Sequence, residues 1–368
     1  MLSMTNEEVK KAAAFFTREI EKLASGRSLR LMEVCGTHTV SIFKSGIRQL
    51  LPENVELVSG PGCPVCVTPN EYLDTAIAYS RKSDVMITTF GDMLKVPGSS
   101  STLAKEKAQG SDIRIVYSSL EALEIAAKNP DKKVIFLAVG FETTAPTAAA
   151  AILMAAEAHL TNFYVLSAHK LVPPALRALL ASGKSHVDGF LLPGHVSAII
   201  GLQPYDFLSK EYHIPGVVAG FEPLDILQAV YMLMLQIHDQ TARLENQYSR
   251  IVPKEGNPSA CTILSQVYQQ TDAVWRGLGK IPNSGMSIRE KYQAFDALLN
   301  IPIIVEETKE ASHCQCGKVL RGLLKPSACL LFGKACRPEH PIGSCMVSVE
   351  GTCAAWYKYG AGRWHRCE

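Results

Sequence analysis

Between residues 29 and 240, short apolar runs alternate with longer stretches whose apolar positions recur every three or four residues. The runs at 29–34, 55–59, 84–89 and 113–117 predict strands, with helices between them ending near 50, 81, 108 and 128. The rhythm repeats at 133–139, 163–166, 189–192 and 217–219, with helices at 146–160, to about 180 and to about 238. Strands that are apolar throughout, each followed by a helix, predict doubly wound parallel sheets covered on both faces. Ahead of them, Val9, Ala12, Ala13, Phe16, Ile20 and Leu23 form one stripe of a helix over 5–25. After 241 the grammar changes: Gly, Pro and charge increase and strands thin out.

This pattern predicts an N-terminal helix (1–28), one α/β domain over 29–130, a second over 131–240 and a third, cysteine-rich domain over 241–368. The N-terminal helix is expected to dock on the third domain. The tripeptide Gly-Phe-Glu ends two strands, at 140–142 and 220–222, and suggests that the second domain is built like the first.

In open α/β sheets, ligands gather beyond the carboxyl ends of the strands. Cys35 and His38 follow the first strand, Cys63 and Cys66 the second, and Asp92 the third. The turn Gly60-Pro61-Gly62-Cys63-Pro64-Val65-Cys66-Val67-Thr68-Pro69 sets two thiols two residues apart between a strand and a helix. Thr68, Pro69 and Glu71 are expected to cap that helix. A thiol beside a helix N-terminus is expected to have a lowered pKa and to be a nucleophile or metal ligand. Inert buried cysteines in a proline-stiffened turn are the plainer alternative. Three thiolates near one another favour iron, zinc or copper(I), and His38 is expected to support a ligand rather than to be one. Glu142, Thr143, Thr144, His195 and Glu222 also follow strands; each is a cleft candidate or, equally, part of a structural network or helix cap.

The composition adds a second centre. The 368 residues are 47% hydrophobic and 20% charged with a net charge of +2, which argues against bulk nucleic-acid binding. No apolar leader segment and no run of about 20 apolar residues is present, so the expectation is a cytoplasmic protein without membrane spans. Eleven cysteines are many for that compartment, where metal or redox chemistry explains them better than disulfides. Most follow Arg250: Cys261, Cys314, Cys316, Cys329, Cys336, Cys345, Cys353 and Cys367. The series Cys316, Cys329, Cys336, Cys353 lies on turn-rich chain without the paired spacing of most structural zinc sites. An iron–sulfur cluster, zinc, or no metal are all compatible with that spacing, and either member of Cys314-Gln315-Cys316 could ligate.

Several long stretches resemble the HypD family of [NiFe]-hydrogenase maturation factors. They include Met32-Glu33-Val34-Cys35-Gly36-Thr37-His38-Thr39, the turn at 60–69, Thr89-Phe90-Gly91-Asp92-Met93, residues 140–144, Pro193-Gly194-His195-Val196-Ser197, and residues 218–224. Glu245-Asn246-Gln247-Tyr248, Trp275-Arg276-Gly277-Leu278-Gly279 and the stretch 345–357 complete the match. The resemblance implies assembly of the Fe(CN)2(CO) unit of the hydrogenase large subunit. It implies a HypC-type chaperone that shares the iron with Cys35, and a HypE-type donor whose thiocyanate, made with HypF, delivers cyanide. It further implies a [4Fe-4S] cluster on Cys316, Cys329, Cys336 and Cys353, and a redox dithiol at Cys63 and Cys66, with direct iron ligation by that pair left open. Where many members carry a second histidine, this chain has Val40, and Cys345 is dispensable in some members. A stand-alone iron–sulfur thiol-disulfide reductase is the alternative; it would not need Cys35. A zinc-binding structural protein is the third reading.

Overall fold

A computed structural model describes residues 5–24 and 26–360. Residues 1–4, residue 25 and residues 361–368, with Cys367 among them, lie outside the described residues. Strands in chain order are β1 (Leu29–Glu33), β2 (Val55–Ser59), β3 (Val85–Thr89), β4 (Ile113–Ile115), β5 (Lys133–Ala138) and β6 (Phe163–Ser167). There follow β7 (Gly189–Pro193), β8 (Gly216–Ala219), β9 (Leu244–Asn246), β10 (Tyr268–Trp275) and β11 (Gly279–Ile288). Two parallel sheets form, in the orders β2-β1-β7-β8-β9 and β4-β3-β5-β6, and β10 pairs with β11 as an antiparallel hairpin. The α/β class with two parallel sheets and a cysteine-rich C-terminal region is therefore as expected.

The sheets do not follow the expected division at 130. β1 and β2 pair with β7, β8 and β9, while β3 to β6 form a sheet of their own between them in sequence. The first sheet is thus discontinuous. An apolar run marks a strand but carries no record of its partner. The register of β1 with β7 is held partly by side chains: Arg30 N–H donates to Asp188 Oδ2 at 2.7 Å, across 158 positions of chain.

Each sheet changes winding direction once. In the first the switch lies between β1 and β7; in the second, between β3 and β5. Crevices at such points collect loops from both directions; Cys35 follows β1 at the first and Glu142 follows β5 at the second.

The N-terminal helix, Asn6–Leu23, starts at a Thr5–Glu8 capping box. It docks on the helix Pro223–His238 and not on the third domain. Phe15 and Phe16 meet Tyr231 with ring centroids 6.0 and 5.5 Å apart, and Ile20 is buried with Ile226, Leu227 and Val230. The apolar stripe was legible, but it found the apolar back of the first sheet's own helix layer.

The region after 241 is also not one separate block. β9 completes the first sheet. The β10–β11 hairpin, which the thinning pattern did not predict, lies on the second sheet's flank, with Leu171 N–H donating to Ser284 O at 2.9 Å and Met286 N–H to His169 O at 3.2 Å. Only the segment from Cys314 onward is built of short turns carrying cysteines. Among the described residues no helix is long and apolar enough to cross a membrane.

Candidate functional site

Cys35 leaves β1 as the N-cap residue of the helix Gly36–Lys44. Backbone N–H groups of His38 and Thr37 face its sulfur. The expected turn from β2 lies against it: Gly36 N–H donates to Gly62 O at 2.9 Å, and Gly60 N–H to Glu33 O at 2.7 Å. A Cβ on Gly62 would run into Cys35 N and the carbonyl carbon of Val34, so only glycine permits this approach. Cys63 and Cys66 close a disulfide across the single helical turn Pro64–Val67, with Cα atoms 5.2 Å apart. In that state neither is a thiolate. The next helix, Asn70–Ser80, starts at Pro69 without the expected Thr68–Glu71 cap. Thr68 instead turns its hydroxyl back to Pro64 O at 2.8 Å and closes the preceding turn.

The polar groups around Cys35 are buried and mostly neutral. Burial pushes the half-buried Cys35 thiol up to about 12, against the N–H groups that favour its anion, and the charge of Glu350 adds to the rise. A free Cys35 is therefore protonated at neutral pH and yields its proton when a positive centre takes its place. Glu33 is fully buried, and burial raises its carboxyl to about 7 despite the hydroxyls of Ser59 and Thr39 and the Cys35 N–H. His38 is buried and directs Nε2 at Gly220 O (2.9 Å) and Ala219 O (3.2 Å), which makes that nitrogen the donor. Burial lowers His38 to about 4, so the ring is neutral and fastens its helix to the end of β8. Phe221 stacks between His38 and His195, with ring centroids at 4.8 and 3.9 Å. His195 is exposed; partial burial lowers its pKa against the opposing pull of Glu350.

The four cysteines expected to act together do come together. Cys316, Cys329, Cys336 and Cys353 line one small pocket with Gly343 and Met346, and Cys314 lines it too. The thiol of Cys345, fully buried, touches Cys316 and Cys353. Cys314 is pulled down to about 6, chiefly by Cys316, with the Arg276 guanidinium adding to the effect. Five thiols around one enclosed apolar pocket are a donor set that fits an iron–sulfur cluster. Among the described residues, no group of three or more His, Cys, Asp and Glu side chains surrounds a single-ion position.

One loop joins these thiol centres. In Ser344–Gly351, Ser344 Oγ donates to Cys66 O at 2.9 Å, and Cys66 Sγ lies 4.0 Å from Ser344 O. Ser348 Oγ donates to Asp92 Oδ2 at 2.7 Å. Thr37 Oγ1 donates to Glu350 Oε1 at 2.7 Å, and Glu350 packs on Gly36 beside Cys35. Asp92 therefore belongs to the site through this loop and not through a shared sheet with Cys35.

The remaining candidates lie apart from Cys35. Glu142 is buried at the second sheet's switch point and accepts from Val172 N–H at 2.9 Å; burial raises it to about 8. Thr144 precedes the helix Ala145–Glu157, with Thr143 beside it, and its hydroxyl donates to Phe141 O at 3.4 Å. Glu222 is exposed as the N-cap of Pro223–His238. Glu33, Glu350 and Ser344 are not singled out by residue chemistry alone, and Cys345 is expected to be dispensable, although Glu33 and Glu350 each lie within a cysteine-bearing motif. A cavity of about 900 Å³ behind the first sheet, near Phe43, Arg48 and Trp356, contains none of these groups.

The family model HypD, described as "Hydrogenase formation hypA family", matches residues 11–360. The hydrogenase maturation factor HypD of Rhodobacter capsulatus is 46% identical over 342 residues, covering 92% of this chain and 91% of that one. The HypD of Escherichia coli is 47% identical over 334 residues, covering 90% of each chain. A putative hydrogenase expression/formation protein of Methanocaldococcus jannaschii is 46% identical over 351 residues, covering 95% of this chain and 97% of that one. With a near-full-length family match, several relatives of this similarity, and thiol centres built from the matching motifs, the chain belongs to the HypD family of hydrogenase maturation factors.

Proposed function

We propose that this chain is a scaffold and redox reagent for assembling the Fe(CN)2(CO) unit of a [NiFe]-hydrogenase. The iron unit is its cargo, held between Cys35 and a cysteine of a HypC-type chaperone; a HypE-type protein brings cyanide as a thiocyanate. The observation that carries this reading is the Ser344–Gly351 loop, which touches Cys66 and the Cys35 helix while its Cys345 touches Cys316 and Cys353. That loop links the Cys35 helix, the Cys63–Cys66 turn and the cysteine pocket.

Cleaving a thiocyanate to thiolate and cyanide consumes two electrons. The thiolates of Cys63 and Cys66 supply them by closing their S–S bond. The donor's S–C bond breaks, and its sulfur and the cyanide each leave with an electron pair. One pair comes from the broken bond and the other from the dithiol. Cys316, Cys329, Cys336 and Cys353 would hold a [4Fe-4S] cluster, with Cys314 as the alternative to Cys316. Such a cluster supplies single electrons for resetting the disulfide. The chain's own part is positional: Gly62 keeps the dithiol turn on the Cys35 backbone, and the buried Glu33, neutral His38 and Phe221 make a dry wall that suits soft anchoring of a low-spin iron.

The test is anaerobic co-purification with the HypC-type partner, followed by infrared and Mössbauer spectroscopy. Cyanide and CO stretches that vanish in Cys35→Ala are expected, as is loss of cyanide transfer in Cys63→Ser. Cluster signals without those stretches would favour the stand-alone reductase. Cyanide transfer left intact by Cys63→Ser would sink the electron route.

A further inference from the structure

The motif Trp275-Arg276-Gly277 matched the family but has no role in the mechanism above. It forms the tip of the β10–β11 hairpin, and three parts of the site meet there. Trp275 is buried, donates Nε1–H to Ser284 Oγ at 2.8 Å and stacks on Phe141 with centroids 6.0 Å apart. Gly277, at φ +77°, lies directly on Gly317, next to Cys316, where a Cβ would collide with the Gly317 backbone. Arg276 reaches the other way. Its N–H donates to Val67 O and its Nε–H to Thr68 O, both at 2.8 Å, and Nη2 donates to Asn70 Oδ1.

Those acceptors explain why an arginine stands there. The single turn Pro64–Val67 is too short to satisfy its own last carbonyls. Thr68 and Ser344 take Pro64 O and Cys66 O, and the hairpin tip supplies the donors for Val67 O and Thr68 O. Arg276 is only 8% exposed, its partners are neutral oxygens, and among the described residues no carboxylate forms an ion pair with it. A buried cation without an anion is costly. The cost is offset where anionic sulfur develops nearby: the Cys63–Cys66 turn meets Arg276 through Val67 and Thr68, and the cysteine pocket adjoins it through Gly277 and Gly317.

We infer that Arg276 is a positioning residue that clamps the dithiol turn to the cysteine pocket and, through its charge, favours the reduced form of Cys63 and Cys66. The inference rests on the dithiol being a redox couple. Reduction adds two electrons to the S–S bond and yields two thiols or thiolates. A cation nearby stabilises the thiolate and draws the equilibrium toward reduction.

The experiment measures the thiol–disulfide equilibrium of Cys63–Cys66 in the full chain at pH 8. Dithiothreitol is the two-electron donor, the quenched thiols are mass-tagged, and the tags are located by peptide mapping. Arg276→Gln is expected to shift the equilibrium toward disulfide at least fivefold. Arg276→Lys, which keeps the charge but loses the planar fork, should stay within twofold of wild type. Equal losses of thermal stability in both variants with no shift in Arg276→Gln would make the residue a structural clamp only and overturn the electrostatic role. Should Arg276→Gln not fold, Asn70→Asp neutralises the guanidinium in place and is expected to shift the equilibrium the same way, at least threefold; no shift overturns the inference. A wild-type pair that cannot be cycled at all overturns the redox reading itself, and this one with it.

Discussion

After β5, the turn Gly140-Phe141-Glu142 sends its carboxylate into the protein; after β8, the turn Gly220-Phe221-Glu222 sends its carboxylate out to solvent. In the first, Phe141 is buried over Trp275 and Glu142 accepts the Val172 N–H. In the second, Phe221 is the spacer between His38 and His195, Glu222 caps a helix, and the inward-facing acid is Asp225, paired with Arg250 at 2.8 and 2.5 Å. Identical tripeptides at the carboxyl ends of two strands thus do different work because different chain crosses above them. Over β5 it is the chain after β6, which carries Val172. Over β8 it is the helix from Cys35 and the segment after β9. The β8 turn meets the helix that Cys35 caps, through His38.

The comparison can be tested by removing each carboxylate's partner or the carboxylate itself. Arg250→Ala leaves Asp225 buried without its cation and is expected to cost about 3 kcal/mol in urea denaturation, since breaking a buried pair is far worse than never having it; a loss below about 1 kcal/mol would mean that Asp225 is solvated in the variant. Glu142→Ala orphans a buried N–H and opens a cavity, for about 2 kcal/mol by the same measurement.

Glu142→Gln sharpens the contrast through pH. The folded pKa of about 8 lies above the ordinary 4.5, so the folded state holds the proton more tightly. The stability contributed by the neutral carboxyl is fully present below pH 4.5 and is lost as pH rises toward 8. Wild type should therefore lose stability relative to Glu142→Gln across that window, as followed by denaturation at stepped pH; parallel curves would contradict a buried neutral acid. Glu222→Ala should have the smallest effect, about 0.5–1 kcal/mol for a lost N-cap in the same urea denaturation.

Much of the fold was legible. The strands from β1 to β8 and the helices between them follow from apolar runs and periodicity, because burial on both faces leaves a compositional trace. The single turn at Pro64–Val67 and the failure of Thr68 to cap the next helix were not legible, since geometry decides whether a hydroxyl accepts from the N–H ahead of it or donates to the carbonyl behind it. The β10–β11 hairpin escaped because its faces alternate with solvent and it rests on the second sheet along one side only.

The site divides in the same way. Cys35, Cys63, Cys66 and the C-terminal cysteines could be named from residue chemistry, because thiols in turns beyond strand ends have few other uses. Neither spacing nor periodicity could tell that β1 pairs with β7, that Asp92 reaches the site through Ser348, or that Glu350 and Cys345 on one loop join both thiol centres. Local sequence determined which residues are candidates for thiol chemistry and which segments become strands and helices, since those depend on residue type and on neighbours a few positions away. Tertiary structure alone decided which of them meet, because contacts across more than two hundred residues depend on how whole faces pack, and no short window of sequence contains that information.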